Sequence, residues 1–172
     1  MSVYGWWFAE ADDQDRVFLP HGDNRQVIVE ETLTVEPARV LPCVYGLHAS
    51  ARVIDALAYA PGSVLSFVRL DGTIVDAEDK WAASERTPLI MRDVSSVLHH
   101  FACDVAERAL KQERLQGREP HPSSWAAIDA KRACLRNDID VFQLRTARSA
   151  AEYAARSAAE SAAWSAGICN RS

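Results

Sequence analysis

Near residue 88 the hydrophobic pattern of this chain changes its period, and that change restricts the possible folds more than any other feature. Upstream, "VYGWWFA" and "RVFLP" are dense in β-branched and aromatic residues, and "HGDNR" is a turn signal leading into "QVIVEETLTVE". The alternation in "QVIVEETLTV" predicts one or two strands. "SVLSFVRLDGTIVD" predicts a strand, a turn at Asp71-Gly72 and a short second strand. Pro37 and Pro42 bracket "ARVL", which reads as an edge strand or a loop. One short helix is expected inside this region. In "ARVIDALAYAPG", Val53, Ile54, Leu57 and Ala58 fall on one helical face before Pro61-Gly62 ends the segment.

After "SERTPL" the period becomes helical. Val94, Val97, Leu98, Phe101, Val105 and Leu110 recur at the spacing of an amphipathic helix that Gly117 and "REPHPSS" stop. Ser123 or Ser124 can cap the next helix, with Trp125, Ile128 and Leu135 as its stripe. Asp138 or Asp140 can cap the last, which is expected to end at Gly167. From Ser149 that helix carries a four-residue alanine repeat. Four residues turn about 400°, so the alanine pairs precess by ~40° per repeat instead of holding one face. Alanine favours the helix but buries little area, so such a helix packs closely or serves as an interaction arm. Tyr153 and Trp164 are its possible anchors. The expected architecture is α+β. A small antiparallel sheet with one short helix spans residues 1–86, and a three-helix region spans residues 87–172.

Length and composition bound the function. At 172 residues, 48% hydrophobic and 25% charged, the chain can bury a core without disulfides. Four cysteines stand far apart, and "MSVYGWWFAEADD" lacks the basic and apolar regions of a signal peptide. No apolar run reaches the ~18 residues of a membrane span. A cytoplasmic protein with reduced thiols is expected, without a membrane partner. The formal charge of −5 argues against direct nucleic-acid binding, which needs clustered Lys and Arg.

The segment with the most chemistry is "PCVYGLHAS", residues 42–50. Gly46 reads as a bend, Val44 and Leu47 as core, Ala49-Ser50 as the start of the short helix, and His48 is left unexplained by packing. Cys43 and His48, with His99 or His100 and Cys103, make a loose set of zinc-type ligands, but no CxxC accompanies them. Cys43 with His48 also resembles a thiolate pair in composition, although such pairs usually meet from distant segments. There is no GxSxG, HExxH or phosphate loop. Trp6-Trp7 reads as half core and half surface, and both are candidate binding residues. No cofactor is indicated.

Two resemblances add to this reading. "GLHASARVIDALAYAPGSVLSFVRLDGTIV" followed by "DKWAASERTPL" resembles a module of uncharacterised bacteriophage and prophage proteins. These carry a Gly-x-His-Ala motif, a short helix, a strand, a Lys-containing turn and often an alanine-rich tail. The likeness covers about residues 40–90 and implies a phage or prophage origin. The same stretch is loosely similar to ADP-ribosyltransferase folds, in which "GLHAS", "DALAYA" and "SVLSFV" would be a strand, a helix and a strand. There His48 would take the place of an aromatic ring near the nicotinamide. No clear His or Arg stands on a preceding strand in the expected context, however, and no glutamate is assigned. Arg16 and Glu85 fill those roles only in a forced alignment. The leading expectation is a non-enzymatic interaction protein of phage type. It would bind a host or phage protein, with inhibition of a host defence system as one form of that role. The alternatives are a nucleotide binder or ADP-ribosyltransferase-like enzyme centred on His48, and an assembly protein that self-associates through its last helix.

Overall fold

The structure, a computed structural model, describes residues 1–19 and 23–169, with side chains described through residue 158. The fold is α+β, and the chain divides into two compact units, Met1–Ser95 and Ser96–Ser172. The first unit is a five-stranded antiparallel sheet made of β1 (Val3–Ala9), β2 (Leu33–Thr34), β3 (Leu47–Ala49), β4 (Val64–Asp76) and β5 (Trp81–Asp93). Its path runs β1-β4-β5-β2, and β3 also pairs with β5. β2 lies along Glu85 and Arg86, while β3 lies along Trp81 to Ala83. The two short strands thus divide one edge of β5 between them.

The far edge of the sheet does not stay open. Beyond β3 the chain reaches β1, where Trp6 N–H donates to Ser50 C=O at 2.8 Å and Ser50 N–H donates to Trp6 C=O at 2.9 Å. The sheet thereby closes into a small, barrel-like curl. Gly5 permits this approach, because a Cβ there would stand 2.8 Å from the Ser50 carbonyl oxygen. The core follows the alternation of the long strands. Val64, Ser66, Val68 and Leu70 of β4 are buried, and Phe8 and Ala9 of β1 join them.

Several local expectations are corrected here. The hairpin does not turn at Asp71-Gly72. β4 passes through those residues with a register irregularity, Gly72 taking φ +73°, and the chain reverses after Asp76, where Ala77 N–H donates to Lys80 C=O at 2.9 Å. A bulge relieves the pairing without ending it, so a Gly signal in a long strand was misread as a turn. "SERTPL" belongs to β5, and the sheet continues to Asp93, beyond the expected boundary at residue 86. Within "QVIVEETLTV" only Leu33–Thr34 is a strand, and "PAR" is a single 3-10 turn, Pro37–Arg39. Ser50 does not cap a helix. The short helix α1 spans Val53–Leu57 behind Arg52, which makes no side-chain cap but pairs with Asp55 at 2.6 Å. Val44 is 73% exposed, not core. Residues 20–22, which take in the first two positions of the expected "HGDNR" turn, lie outside the described residues. Their flanks meet through the Leu19 N–H, which donates to Arg25 C=O at 2.9 Å.

The second unit holds three helices, α2 (Ser95–Leu115), α3 (Pro122–Leu135) and α4 (Val141–Cys169). Gly117, at φ +79°, ends α2, with the Arg118 N–H donating to Glu113 C=O at 3.0 Å. His121, not a serine, caps α3, its Nδ1 accepting from the Ser123 N–H at 3.2 Å. Asp140 caps α4 reciprocally with Gln143: Asp140 Oδ1 accepts from the Gln143 N–H at 2.8 Å, and Gln143 Oε1 accepts from the Asp140 N–H at 3.0 Å. α4 continues past the expected stop at Gly167. Its packing partner is α3, and Arg132 of α3 bridges Asp104 and Glu107 of α2 at 2.7 and 2.6 Å. The expected α2 stripe is not buried: Val97, Phe101 and Val105 are 64%, 45% and 45% exposed and Val94, Leu98 and Leu110 half-buried, while the buried side chain of α2 is Cys103, which lies off the stripe.

Candidate functional site

A cavity of about 1240 Å³ in the first unit brings together Trp7, Cys43, His48, Tyr59, Lys80 and Arg86. Each arrives from a different element. Trp7 comes from β1, Cys43 from the loop before β3, His48 from β3, Tyr59 from the turn after α1, Lys80 from the β4–β5 turn, and Arg86 from β5. A smaller hollow of about 520 Å³ is lined by Arg25, Thr34, Glu36, Tyr45 and Glu85, among others. Arg25 is already engaged there by Asp23 and the Thr34 carbonyl, so that hollow lacks an unspent cation.

Arg86 dominates the large cavity. Period-two alternation places it on the same face of β5 as Ala82 and Ser84, and it is 2% exposed. Nη1 donates to the His48 carbonyl at 2.9 Å, and the guanidinium carbon lies 3.7 Å from the centroid of the Trp7 ring. Nε and Nη2 are buried and have no hydrogen-bond partner among the described residues. Burial holds the guanidinium down to about 9, and no carboxylate offsets it. A shift of that size corresponds to several kcal/mol of uncompensated desolvation. Proteins rarely retain an arginine in this state unless something else satisfies it.

His48 is placed with its Nε2 accepting from the Cys43 backbone N–H at 3.3 Å. Burial lowers its pKa, and the charges of Lys80 and Arg86 lower it further, while a hydrogen bond to the Gly46 backbone works against them. A neutral ring whose Nε2 lone pair is already occupied cannot serve as a base toward the Cys43 thiol in this arrangement. It holds the turn that carries Cys43 instead. That turn is tight. Leu41 and Tyr45 exchange backbone hydrogen bonds of 2.8 and 2.9 Å, and Cys43 itself sits at φ +66°. The thiol is exposed.

Lys80 completes the rim. Its ammonium lies 3.6 Å from the centroid of the Tyr59 ring, and the Tyr59 hydroxyl donates to Asp79 at 2.6 Å. Burial pulls the Lys80 pKa down, but its interactions with the neighbouring Tyr59 and Cys43 outweigh that and hold it above its ordinary value. The cation is therefore fixed before any ligand arrives.

The other expected site residues are dispersed. Trp6 lies on the cavity wall with its ring 4.8 Å from that of Phe67. Tyr153 is 77% exposed on α4, and the side chain of Trp164 lies outside the described residues. His99 and His100 are exposed and Cys103 is buried, all on α2. Among the described residues no group of three or more His, Cys, Asp or Glu side chains converges as a metal site. Arg16 lines the same cavity as His48 but is spent on Asp12 at 2.7 Å, and Glu85 lines the other hollow, so the three do not meet in one site. Arg86 was not singled out from sequence, though its place in the alternation of "WAASERTPL" could have flagged a charge on a buried face. The fold and site define an α+β protein whose sheet holds a cation-lined cavity. No family model matches the chain, and no curated protein or solved structure matches it either. No helix among the described residues is long and apolar enough to cross a membrane.

Proposed function

We propose that the first unit is a binding module for a small ligand that carries an acidic group beside a flat ring, the chemistry of a nucleotide. One observation carries this reading. Arg86 is buried at the cavity without a counter-charge, and two of its nitrogens are unspent. A phosphate or carboxylate would supply the bidentate acceptor that a guanidinium matches best. Aromatic walls from Trp6, Trp7 and Tyr59 suit a ring. Of the acids that line the cavity, Asp12 and Asp23 are neutralised by Arg16 and Arg25, and Glu10 is exposed to solvent. Titration calorimetry with adenosine monophosphate, adenosine and inorganic phosphate tests the reading. The monophosphate should bind, adenosine should bind at least tenfold more weakly, and Arg86→Met should remove the difference. Equal affinity for monophosphate and adenosine, or no binding of any of them, would reject it.

A second reading is that the chain is a phage-type protein that binds a host or phage protein through its helical unit. It is supported by the exposed side chains of Val97, Phe101 and Val105 on successive turns of α2, and of Tyr153 on α4. Phe101→Asp and Tyr153→Ala should then abolish capture of a stoichiometric partner while leaving ligand binding in the first unit intact. If the unpartnered apolar face instead joins copies of this chain, gel filtration will report a multiple of 19.0 kDa.

A further inference from the structure

Arg86 does not account for all the positive charge of the cavity. Lys80 lines it as well, from the β4–β5 turn, where its carbonyl accepts from the Ala77 N–H at 2.9 Å. Its ammonium rests 3.6 Å from the centroid of the Tyr59 ring. Tyr59 also engages the acid beside Lys80 in sequence, because its hydroxyl donates to Asp79 at 2.6 Å. Among the described residues no carboxylate forms an ion pair with Lys80. Of the acids on the cavity wall, Asp12 and Asp23 are held by Arg16 and Arg25, which leaves the exposed Glu10. A chain of net charge −5 thus keeps, in one cavity, two cations with no carboxylate of their own.

The two cations occupy different positions. Arg86 is buried and lies against Trp7, whereas Lys80 is half-buried and lies against Tyr59. Six residues of extended chain separate them, about 20 Å of strand. A phosphate that accepts from Nε and Nη2 of Arg86 fills the deep position and leaves the Lys80 ammonium without an anion. A ligand with one acidic group therefore uses only part of the field the cavity presents. We propose that the ligand carries a second acidic group, set apart from the first, and that Lys80 receives it. This rests on the reading of the cavity as a nucleotide site, and within that reading the ligand class is a nucleoside phosphorylated on both sides of its sugar. The deep phosphate meets Arg86 and the outer one meets Lys80. The residue types fit this division. The planar fork of arginine suits the buried, bidentate position, and the compact, strongly hydrated ammonium of lysine suits the rim.

Titration calorimetry on the full chain compares adenosine monophosphate with adenosine 3′,5′-bisphosphate and with adenosine diphosphate, which adds its second phosphate directly to the first. The 3′,5′-bisphosphate should bind roughly fivefold or more tightly than the monophosphate at low salt, and added salt should reduce the gain. The diphosphate should gain less. Lys80→Gln should abolish the difference between bisphosphate and monophosphate, and Lys80→Arg, which keeps the charge, should retain it. No gain in the wild type, an undiminished gain in Lys80→Gln, or an equal gain from the diphosphate would overturn the inference. Propane-1,3-diol bisphosphate keeps the spacing of the two phosphates and lacks the base, so it separates this inference from the nucleotide reading. If it equals the adenosine bisphosphate in affinity and in dependence on Lys80, the nucleotide reading falls and the second acidic position stands. If the monophosphate outbinds adenosine but a second phosphate adds nothing, this inference falls alone.

Discussion

Arg86 is at once the least stable and the most informative side chain in the first unit. Its burial without a carboxylate costs free energy that a hydrocarbon in the same place would not. Arg86→Met should therefore raise the free energy of unfolding by about 1–3 kcal/mol in urea titrations, even after loss of the Trp7 and His48 contacts. The same variant should no longer be stabilised by the monophosphate. A gain in stability together with a loss of binding marks a group retained for function. His48 adds a pH dependence. Its folded pKa lies below the ordinary 6.5, so the unfolded chain takes up a proton first as the pH falls. The stability it contributes is complete above pH 6.5, declines as the pH drops through its folded pKa, and is lost below it. Stability of the wild type should fall more steeply than that of His48→Gln on going below pH 6.5, as read from denaturant midpoints.

At the scale of elements, the closure of the sheet depends on a residue too small to notice in a sequence. Gly5→Ala would push a methyl group to 2.8 Å from the Ser50 oxygen, and it should cost about 1–3 kcal/mol or more, measurable as a lower thermal midpoint. Among the helices, Asp140→Ala removes one half of a reciprocal cap. It should cost about 1 kcal/mol and lower the helical signal in circular dichroism. That cap was legible as one of two acids, Asp138 or Asp140, and the structure assigns it to Asp140, which has Gln143 three residues later. The helix stop at Gly117 was legible as well, since few residues other than glycine take φ +79° without strain. β4 and β5 were not. Each is 13 residues long, and their turn is made by ordinary residues, whereas the Gly signal at position 72 marks a bulge inside the strand. The candidate site was half visible. Cys43 and His48 lie five positions apart in sequence, but Arg86, Tyr59 and Trp7 meet them only through the closure of the sheet. Pairing across that distance leaves no periodicity to read.

On the scale of the whole molecule, two compact units carry unequal cores. Unit one buries two hydrophobic clusters, among them Val68, Leu70 and Ala83 at 0% exposure. Among the described residues of unit two, the buried apolar side chains are Cys103, Ile128 and Leu144. Differential scanning calorimetry should resolve a lower transition from the helices and a higher one from the sheet, and a bound monophosphate should move only the higher one. A single transition that shifts as a whole would show the two units to be thermodynamically coupled.

The pairing of β1 with β4, Val3 opposite Leu70, also fixes an order of events during synthesis. β1 leaves the ribosome before its partners in β4 and at Ser50, which are made later. "VYGWWFA" therefore waits as an unpaired, aromatic-rich segment until most of the first unit has emerged. The nascent chain is thus prone to clump through this segment until the curl of the sheet closes and hides it.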